Sequence, residues 1–258
     1  MAPFIKTLDH DELNVIGDIH GDFAALQALI EIMPKAPILS VGDLVDRGAN
    51  SKDVIQYFMD SPNASAIVGN HELMMLTALR DDPWDHYLPI WAENGGKETL
   101  KSYGLEYSRR LVAKDYCSDA LTAALDFIGN LPVAVRFKDF VISHAPLDNK
   151  VWQSAIKAEE DLKNVSFKSP EAMKALQKEW RRTAESFVWN KSDPDQIDGL
   201  VGIYGHCWFQ KSFVDIKGDL YARCIDGLAE GLLVGLNLPS GKIFSVPRPK
   251  QPKKRRKF

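Results

Sequence analysis

Cysteine is scarce: Cys117, Cys207 and Cys224 are the three in 258 residues, and no two of them form a C-x-x-C pair. An odd number without that spacing argues against a disulfide framework and against a structural zinc knuckle, and fits a reducing compartment. Long apolar runs are missing too. No stretch of about 18 apolar residues occurs, and residues 1–10 lack a basic segment followed by an apolar one, so neither membrane spanning nor secretion is expected. A cytoplasmic location without membrane partners follows as the expectation.

What is present is an ordinary globular mixture, 45% hydrophobic and 26% charged, able to build a core without staples. The formal charge of −3 conceals an asymmetry. Seven cations fall within residues 248–258, so the remainder carries −10. One folded domain over residues 1–247 is expected, followed by a basic disordered tail over residues 248–258, which is too poor in apolar residues to order itself. Such a tail suits weak contact with nucleic acid or another acidic surface through counterion release.

Short apolar segments recur, each closed by a polar or glycine signal. Residues 13–16 precede Gly17, 38–41 precede Gly42, 66–68 precede Gly69, 140–142 precede Ser143 and 200–204 precede Gly205. They read as buried strands, with further strands expected over 213–216 and 231–234. Helical spacing over 23–33 stops at Pro34, and a helix over 51–59 follows a cap at Asn50 or Ser51. Residues 72–131 and 151–185 read as mostly helical insertions walling a site. A βαβ rhythm followed by a strand-rich end predicts an α/β sandwich, two mixed β-sheets face to face with helices outside.

The polar residues at the strand ends carry the chemistry. Asp18 and His20 follow the first strand, Asp43 the second, Asn70 and His71 the third, and His144 and His206 two later ones. A lone histidine is usually a surface or hydrogen-bonded residue, but four of the six histidines fall at successive strand ends. Two divalent cations about 3.5–4 Å apart need several oxygen and imidazole ligands, one of them shared, to clamp a phosphoryl group and activate water. This inventory meets that need. Cys207, next to His206, reads as packing, and the tryptophans, including Trp189 and Trp208, as core or partly buried wall.

At these motifs the chain resembles the calcineurin-like metallophosphoesterases of the phosphoprotein phosphatase family. Gly17-Asp18-Ile19-His20-Gly21, Gly42-Asp43-Leu44-Val45-Asp46-Arg47-Gly48 and Gly69-Asn70-His71-Glu72 match its three signature blocks in order, and Ser143-His144 and Gly205-His206 its later histidine blocks. The stretches 91–96 and 188–190 resemble the bacteriophage lambda-type serine/threonine phosphatase branch. The resemblance implies a metallophosphoesterase catalytic domain in which Asp18 and His20 bind one metal, Asp43 bridges, and Asn70, His144 and His206 bind the second. It further implies a metal-bridging hydroxide as nucleophile, His71 as proton donor to the leaving oxygen with Asp46 behind it, and Arg47 on the phosphoryl oxygens.

Lys191 stands where the lambda-like branch places a second phosphate-binding arginine, which keeps the charge and loses the fork, or hands the role to Arg181 or Arg182. Asp226-Gly227 lacks the family's intervening threonine. The expected activity is hydrolysis of phosphoserine, phosphothreonine or phosphotyrosine in a phosphorylated protein substrate, in the host cytoplasm if the chain is phage-encoded. Two divalent ions are expected, Mn²⁺ first, with Fe, Zn or Ni suiting the same ligands. Symmetrical diadenosine tetraphosphate hydrolysis is the enzymatic alternative, since those enzymes share the first motifs. A metal-binding module without turnover is the non-enzymatic one.

Overall fold

The computed structural model describes residues 4–81, 86–110, 112–116, 118–163, 170–197 and 199–249. The first strands are Ile5–Leu8 (β1) and Leu13–Ile16 (β2), then helix Phe23–Ile32 (α1), strand Ile38–Ser40 (β3), helix Ser51–Asp60 (α2) and strand Ala64–Ala66 (β4). Every residue of β2 and β3 is buried, as expected for strands covered on both faces. The Asp22 side chain accepts from Ala25 N at 3.1 Å and starts α1, which stops one residue short of Pro34. Asn50 occupies the cap position of α2 without a side-chain capping bond, donating instead to Asp53 at 3.2 Å.

The insertion that follows is helical, as expected: Asn70–Leu76 (α3), Tyr87–Trp91 (α4), Lys97–Ser102 (α5) and Asp119–Ile128 (α6), with π-helical turns at Thr77–Asp81 and Ala92–Gly96. Strands Ala134–Phe137 (β5) and Phe140–Ser143 (β6) lead to two helices, Asn149–Lys163 (α7) and Pro170–Val188 (α8). The chain closes with Val201–Tyr204 (β7), Gln210–Val214 (β8), Leu220–Ile225 (β9), Leu232–Leu238 (β10) and Lys242–Pro247 (β11).

The strands form two mixed sheets, ordered β1-β5-β6-β7-β9-β8 and β11-β10-β2-β3-β4. Alternate residues decide the layering. Val15 and Leu39 of one sheet share an apolar cluster with Val135, Ile142 and Ile203 of the other. Ile16 and Ile38 point the opposite way and pack in the cluster that holds Leu26 and Leu29 of α1. This period-two switch makes a sheet-on-sheet sandwich with helices outside, which is the expected fold class. The strands that periodicity passed over are β1, β5, β9 and β11, whose charged or polar residues, such as Lys6, Arg136, Arg223 and Ser245, interrupt the apolar signal.

Arg248, expected to open the tail, is hydrogen-bonded to the folded body. Its backbone N–H donates to Gly231 O at 2.8 Å, and its guanidinium donates to Leu232 O at 2.8 Å, to Ile19 O at 2.7 Å and to Asp18 O. Pairing of Pro247 with Leu232 at the end of the β10–β11 ladder delivers it there. The rest of the expected tail from residue 250, and with it Cys117 and Trp84, lies outside the described residues. Among the described residues, no helix is long and apolar enough to cross a membrane.

Candidate metal centre

β2, β3 and β4 run parallel, as do β6 and β7 in the other sheet, so the loops at their C-terminal ends gather on one side. These loops are not relaxed. His20, Asp43, Asp46, Arg47 and His206 all have positive φ, between 51° and 72°. That region is unfavourable for residues with a Cβ and costs on the order of 1–3 kcal/mol each. Strain of this kind persists where the surrounding structure fixes it, and here it clusters on the residues expected to carry chemistry. Gly205 meets a further demand: a Cβ there would overlap Asp18 Oδ1.

The fold brings Asp18, His20, Asp43, Asp46, Arg47, Asn70, His71, His144 and His206 together, and all of them except Arg47 are buried. Among the described residues, two ligand groups share Asp43: His20, Asp43 and His71 form one, and Asp18, Asp43 and His144 the other, with the donor atoms of each within 4.8 Å of one another. Asp43 Oδ2 faces His20 Nε2 at 3.5 Å and His71 Nε2 at 3.9 Å, while Oδ1 faces His144 Nε2 at 3.4 Å. Asp43, the residue expected to bridge, is common to both groups. One group sets Asp18 with His144, and the other sets His20 with His71. Both Asp18 oxygens accept from His206 N at 3.2 Å, which ties this carboxylate to the β7 side.

Hydrogen bonding shows that these groups fit cations. His144 Nδ1 lies 2.8 Å from Val41 O, and a carbonyl can only accept, so Nδ1 carries a proton and the neutral ring would present its lone pair at Nε2. His144 Nε2 faces Asn70 Oδ1 at 2.8 Å, as does His206 Nδ1 at 3.0 Å. His206 Nε2 is buried without a hydrogen-bond partner among the described residues. His20 Nδ1 likewise donates to Val45 O at 3.1 Å. Convergent lone pairs of oxygen and imidazole are the donor set of two closely spaced divalent ions.

The electrostatics agree. Burial, with Asp226 and Asp43 nearby, raises the Asp18 carboxyl well above the ordinary range. Burial also opposes ionisation of Asp43, but His144, His71 and His20 outweigh it and hold that carboxyl low. Burial lowers His20, and burial with His144 lowers His206 to about 3, so both imidazoles are neutral, as ligands must be.

His71 behaves differently. Burial works against its cation, but Asp43 and the hydrogen bond and charge of Asp46 outweigh this, and its pKa is raised. His71 Nδ1 lies 2.7 Å from Asp46 Oδ2. Arg47 directs its two terminal nitrogens at His20 Nε2 (2.7 Å) and His71 Nε2 (2.9 Å), which aims a guanidinium fork at the centre. Gly95 permits this approach. Its φ is +119°, its carbonyl accepts from Arg47 N at 3.3 Å, and a Cβ there would come within 2.6 Å of that nitrogen.

Supporting residues are more numerous than the motifs suggested. Trp91 Nε1 donates to both Asp46 oxygens, at 3.0 and 2.9 Å, and Thr99 Oγ1 donates to Oδ1 at 2.7 Å. Glu72 accepts from Leu44 N and Val45 N on one oxygen and from Asp43 N and Gly69 N on the other, at 2.7–3.2 Å, locking two ligand loops together. Burial and the Asp43 charge push its carboxyl up to about 8. All four neighbours donate, however, so the pocket accommodates the ionised form. Asp226 accepts from Trp208 N at 2.6 Å and from Leu228 N at 2.9 Å, and burial raises its pKa. Glu72 and Asp226 stand inside quoted motifs. Trp91 opens the quoted stretch 91–96, whereas Thr99 and Arg248 act from a distance in sequence and no local signal marks them.

Lys191 lies at the His206 edge. Its charge helps hold the His206 imidazole neutral, and its ammonium sits 5.5 Å from the centre of the Trp208 ring. Arg182 pairs with Glu179 at 2.5 Å on an exposed face of α8, and Arg181 donates to Thr77. Cys207 packs against the cluster of Tyr204, Phe213 and Cys224, in line with a packing role.

Comparison with known proteins agrees with this geometry. The family profile of the calcineurin-like phosphoesterases matches residues 13–207. The symmetrical bis(5'-nucleosyl)-tetraphosphatase of Coxiella burnetii is 33% identical over 275 aligned positions, covering 90% of this chain and 90% of that protein. Serine/threonine-protein phosphatase 2 of Escherichia coli is 37% identical over 86 residues, which is 32% of this chain and 37% of that protein. A crystal structure provisionally described as a diadenosine tetraphosphatase shares the fold, with a TM-score of 0.58 at 17% identity over 96% of this chain and 100% of that one.

Proposed function

The chain belongs to the calcineurin-like phosphoesterase family, and we propose that it hydrolyses symmetrical dinucleoside tetraphosphates at the central anhydride, releasing two nucleoside diphosphates. The observation that carries this reading is likeness to a symmetrical tetraphosphatase across 90% of both chains, over a centre whose two ligand groups share Asp43. The expected protein phosphatase activity draws on a likeness that spans 32% of this chain.

In this proposal Asp18, His20, Asp43, Asn70, His144 and His206 hold two divalent cations, Mn²⁺ being the ion proposed. When bound, they supply Lewis-acid polarisation of the phosphoryl oxygens and activation of water. Arg47 exchanges its contacts with His20 and His71 for phosphoryl oxygens, where its fork matches a tetrahedral oxyanion, and Lys191 adds charge at the opposite edge. His71 delivers a proton to the departing oxygen, and Asp46 holds its ring in the tautomer and position for that transfer.

A second reading, hydrolysis of phosphoserine, phosphothreonine or phosphotyrosine in proteins, is favoured by the buried His71–Asp46 pair. An alkoxide leaving group needs a proton far more than a phosphate does. Turnover with Mn²⁺ of bis(5'-adenosyl) tetraphosphate against a phosphoserine peptide separates the readings. ADP as the sole nucleotide product, with a kcat/KM well above that for the peptide, is expected. ATP with AMP, or preference for the peptide, would overturn the first reading.

A further inference from the structure

The tryptophans Trp91, Trp152 and Trp180 are put away in the core, but two indoles beside the metal centre are not. Trp208 is 54% exposed and Trp189 is 47% exposed. Trp189 stands edge-on to the candidate ligand His206, with ring centres 6.2 Å apart and planes at 86°. Trp208 follows His206 by two residues and is held in the left-handed region at φ +66°. Its N–H donates to buried Asp226 at 2.6 Å and its carbonyl accepts from Ala229 N at 2.9 Å. A bulky aromatic residue in that conformation is a genuine outlier, and the fold pins its backbone while leaving the ring in solvent. Lys191 Nζ lies 5.5 Å from that ring's centre.

Packing does not account for this arrangement, since burying either ring would stabilise the chain more than exposing it. We infer that Trp208 and Trp189, with Lys191 beside the Trp208 ring, form a stacking platform for one nucleobase of the dinucleotide. This deepens the tetraphosphatase reading and rests on it. Indole faces stack on any base because every base has a π-face, and an ammonium beside the ring attracts the phosphate chain that joins base to reacting phosphorus. The platform therefore selects a phosphate ester that carries a flat heterocycle. It contributes nothing specific to inorganic pyrophosphate or a small aryl phosphate.

The test uses the full chain with Mn²⁺ and the variants Trp208→Ala, Trp208→Phe and Trp189→Ala. Binding of ADP and of inorganic pyrophosphate is measured by calorimetry, alongside kcat/KM for bis(5'-adenosyl) tetraphosphate and p-nitrophenyl phosphate. Trp208→Ala is expected to weaken ADP binding about tenfold more than pyrophosphate binding, and to lower the ratio of dinucleotide to aryl phosphate kcat/KM by a similar factor. Trp189→Ala should act in the same direction, and Trp208→Phe should restore most of the loss. Equal losses for ADP and pyrophosphate, or no loss in either alanine variant, would overturn the platform while dinucleotide hydrolysis by the unmodified chain stands. An unmodified chain that cleaves phosphopeptides and not the dinucleotide overturns both.

Discussion

His71 and Asp46 form a buried pair 2.7 Å apart, and Trp91 and Thr99 occupy the remaining acceptor positions of the carboxylate. Asp46 is completely buried, so donors from three separate segments fix its position. A carboxylate held this way cannot swing toward the ligand groups around Asp43. It lies on His71 Nδ1, where its charge and hydrogen bond favour the charged ring.

The pH dependence follows in sign. His71 is raised from the ordinary histidine value by Asp43 and Asp46, acting against burial. A reaction that needs its proton is therefore sustained above a pH of about 6.5 and lost as pH rises through the raised value. Asp46→Asn removes one source of the rise. With a phosphate monoester of an aliphatic alcohol, the alkaline limb of kcat is expected to move to lower pH and kcat to fall about 10²-fold or more. An unmoved limb would show that Asp46 does not act through His71.

Removal of metal should be visible without any substrate. Asp18, Asp43 and Asp226 bring three carboxylates into one buried region, so cations that bind the folded state stabilise it. At Mn²⁺ about 100 times its Kd the gain is about 2.7 kcal/mol, or roughly 5–10 °C in Tm for a chain of this size. Chelator-treated protein titrated with Mn²⁺ in a thermal melt should show this rise, and Asp43→Asn should abolish most of it together with turnover. A full shift in that variant would remove Asp43 from the shared position.

Glu72→Gln tests the lock between the ligand loops. The amide has one accepting oxygen for four backbone donors, so the N–H groups on one side of the side chain are left facing another donor. Each buried stranded donor costs about 1–3 kcal/mol. Urea unfolding should report a loss of at least that size, and Mn²⁺ affinity should fall about 10–100-fold because the partners that orient ligands are disturbed. Stability and affinity both at the unmodified level would contradict the role.

Arg248 gives a contrast within one short segment. Its guanidinium sets a different nitrogen on each of the carbonyls of Leu232, Ile19 and Asp18, whereas a lysine has a single nitrogen for all three. Arg248→Lys is expected to weaken Mn²⁺ binding about tenfold, whereas deletion of residues 250–258 should change it less than twofold. Metal titration of the two variants side by side decides the point, and the reverse order of effects would place the influence in the basic end of the chain.

The residues expected to bind metal were legible because each is a change of chemistry at a strand end: apolar residues stop, and Asp18, Asp43, Asn70, His144 or His206 follows within a few positions. The central strands were legible for the same reason, being apolar on both faces. β1, β5, β9 and β11 were not, since Arg136 in β5 faces outward and breaks the run. Trp208 and Trp189 read as wall or core, because nothing local tells an indole held in solvent from one packed inside. The expected protein phosphatase reading weighted motif blocks that symmetrical tetraphosphatases share, and the likeness across most of the chain favours the alternative.

Side-chain identity and order along the chain set which atoms could bind cations, hold a phosphate or carry a proton, because those are covalent properties of each residue. The tertiary structure decided their company: Asp18 beside His144 and His206, Trp91 on Asp46, Arg248 behind Asp18. Such contacts join residues as far apart as Ile19 and Arg248, separated by 229 positions. They exist because two sheets pack face to face and bring their loop ends to one side, a nonlocal arrangement that no short stretch of sequence specifies.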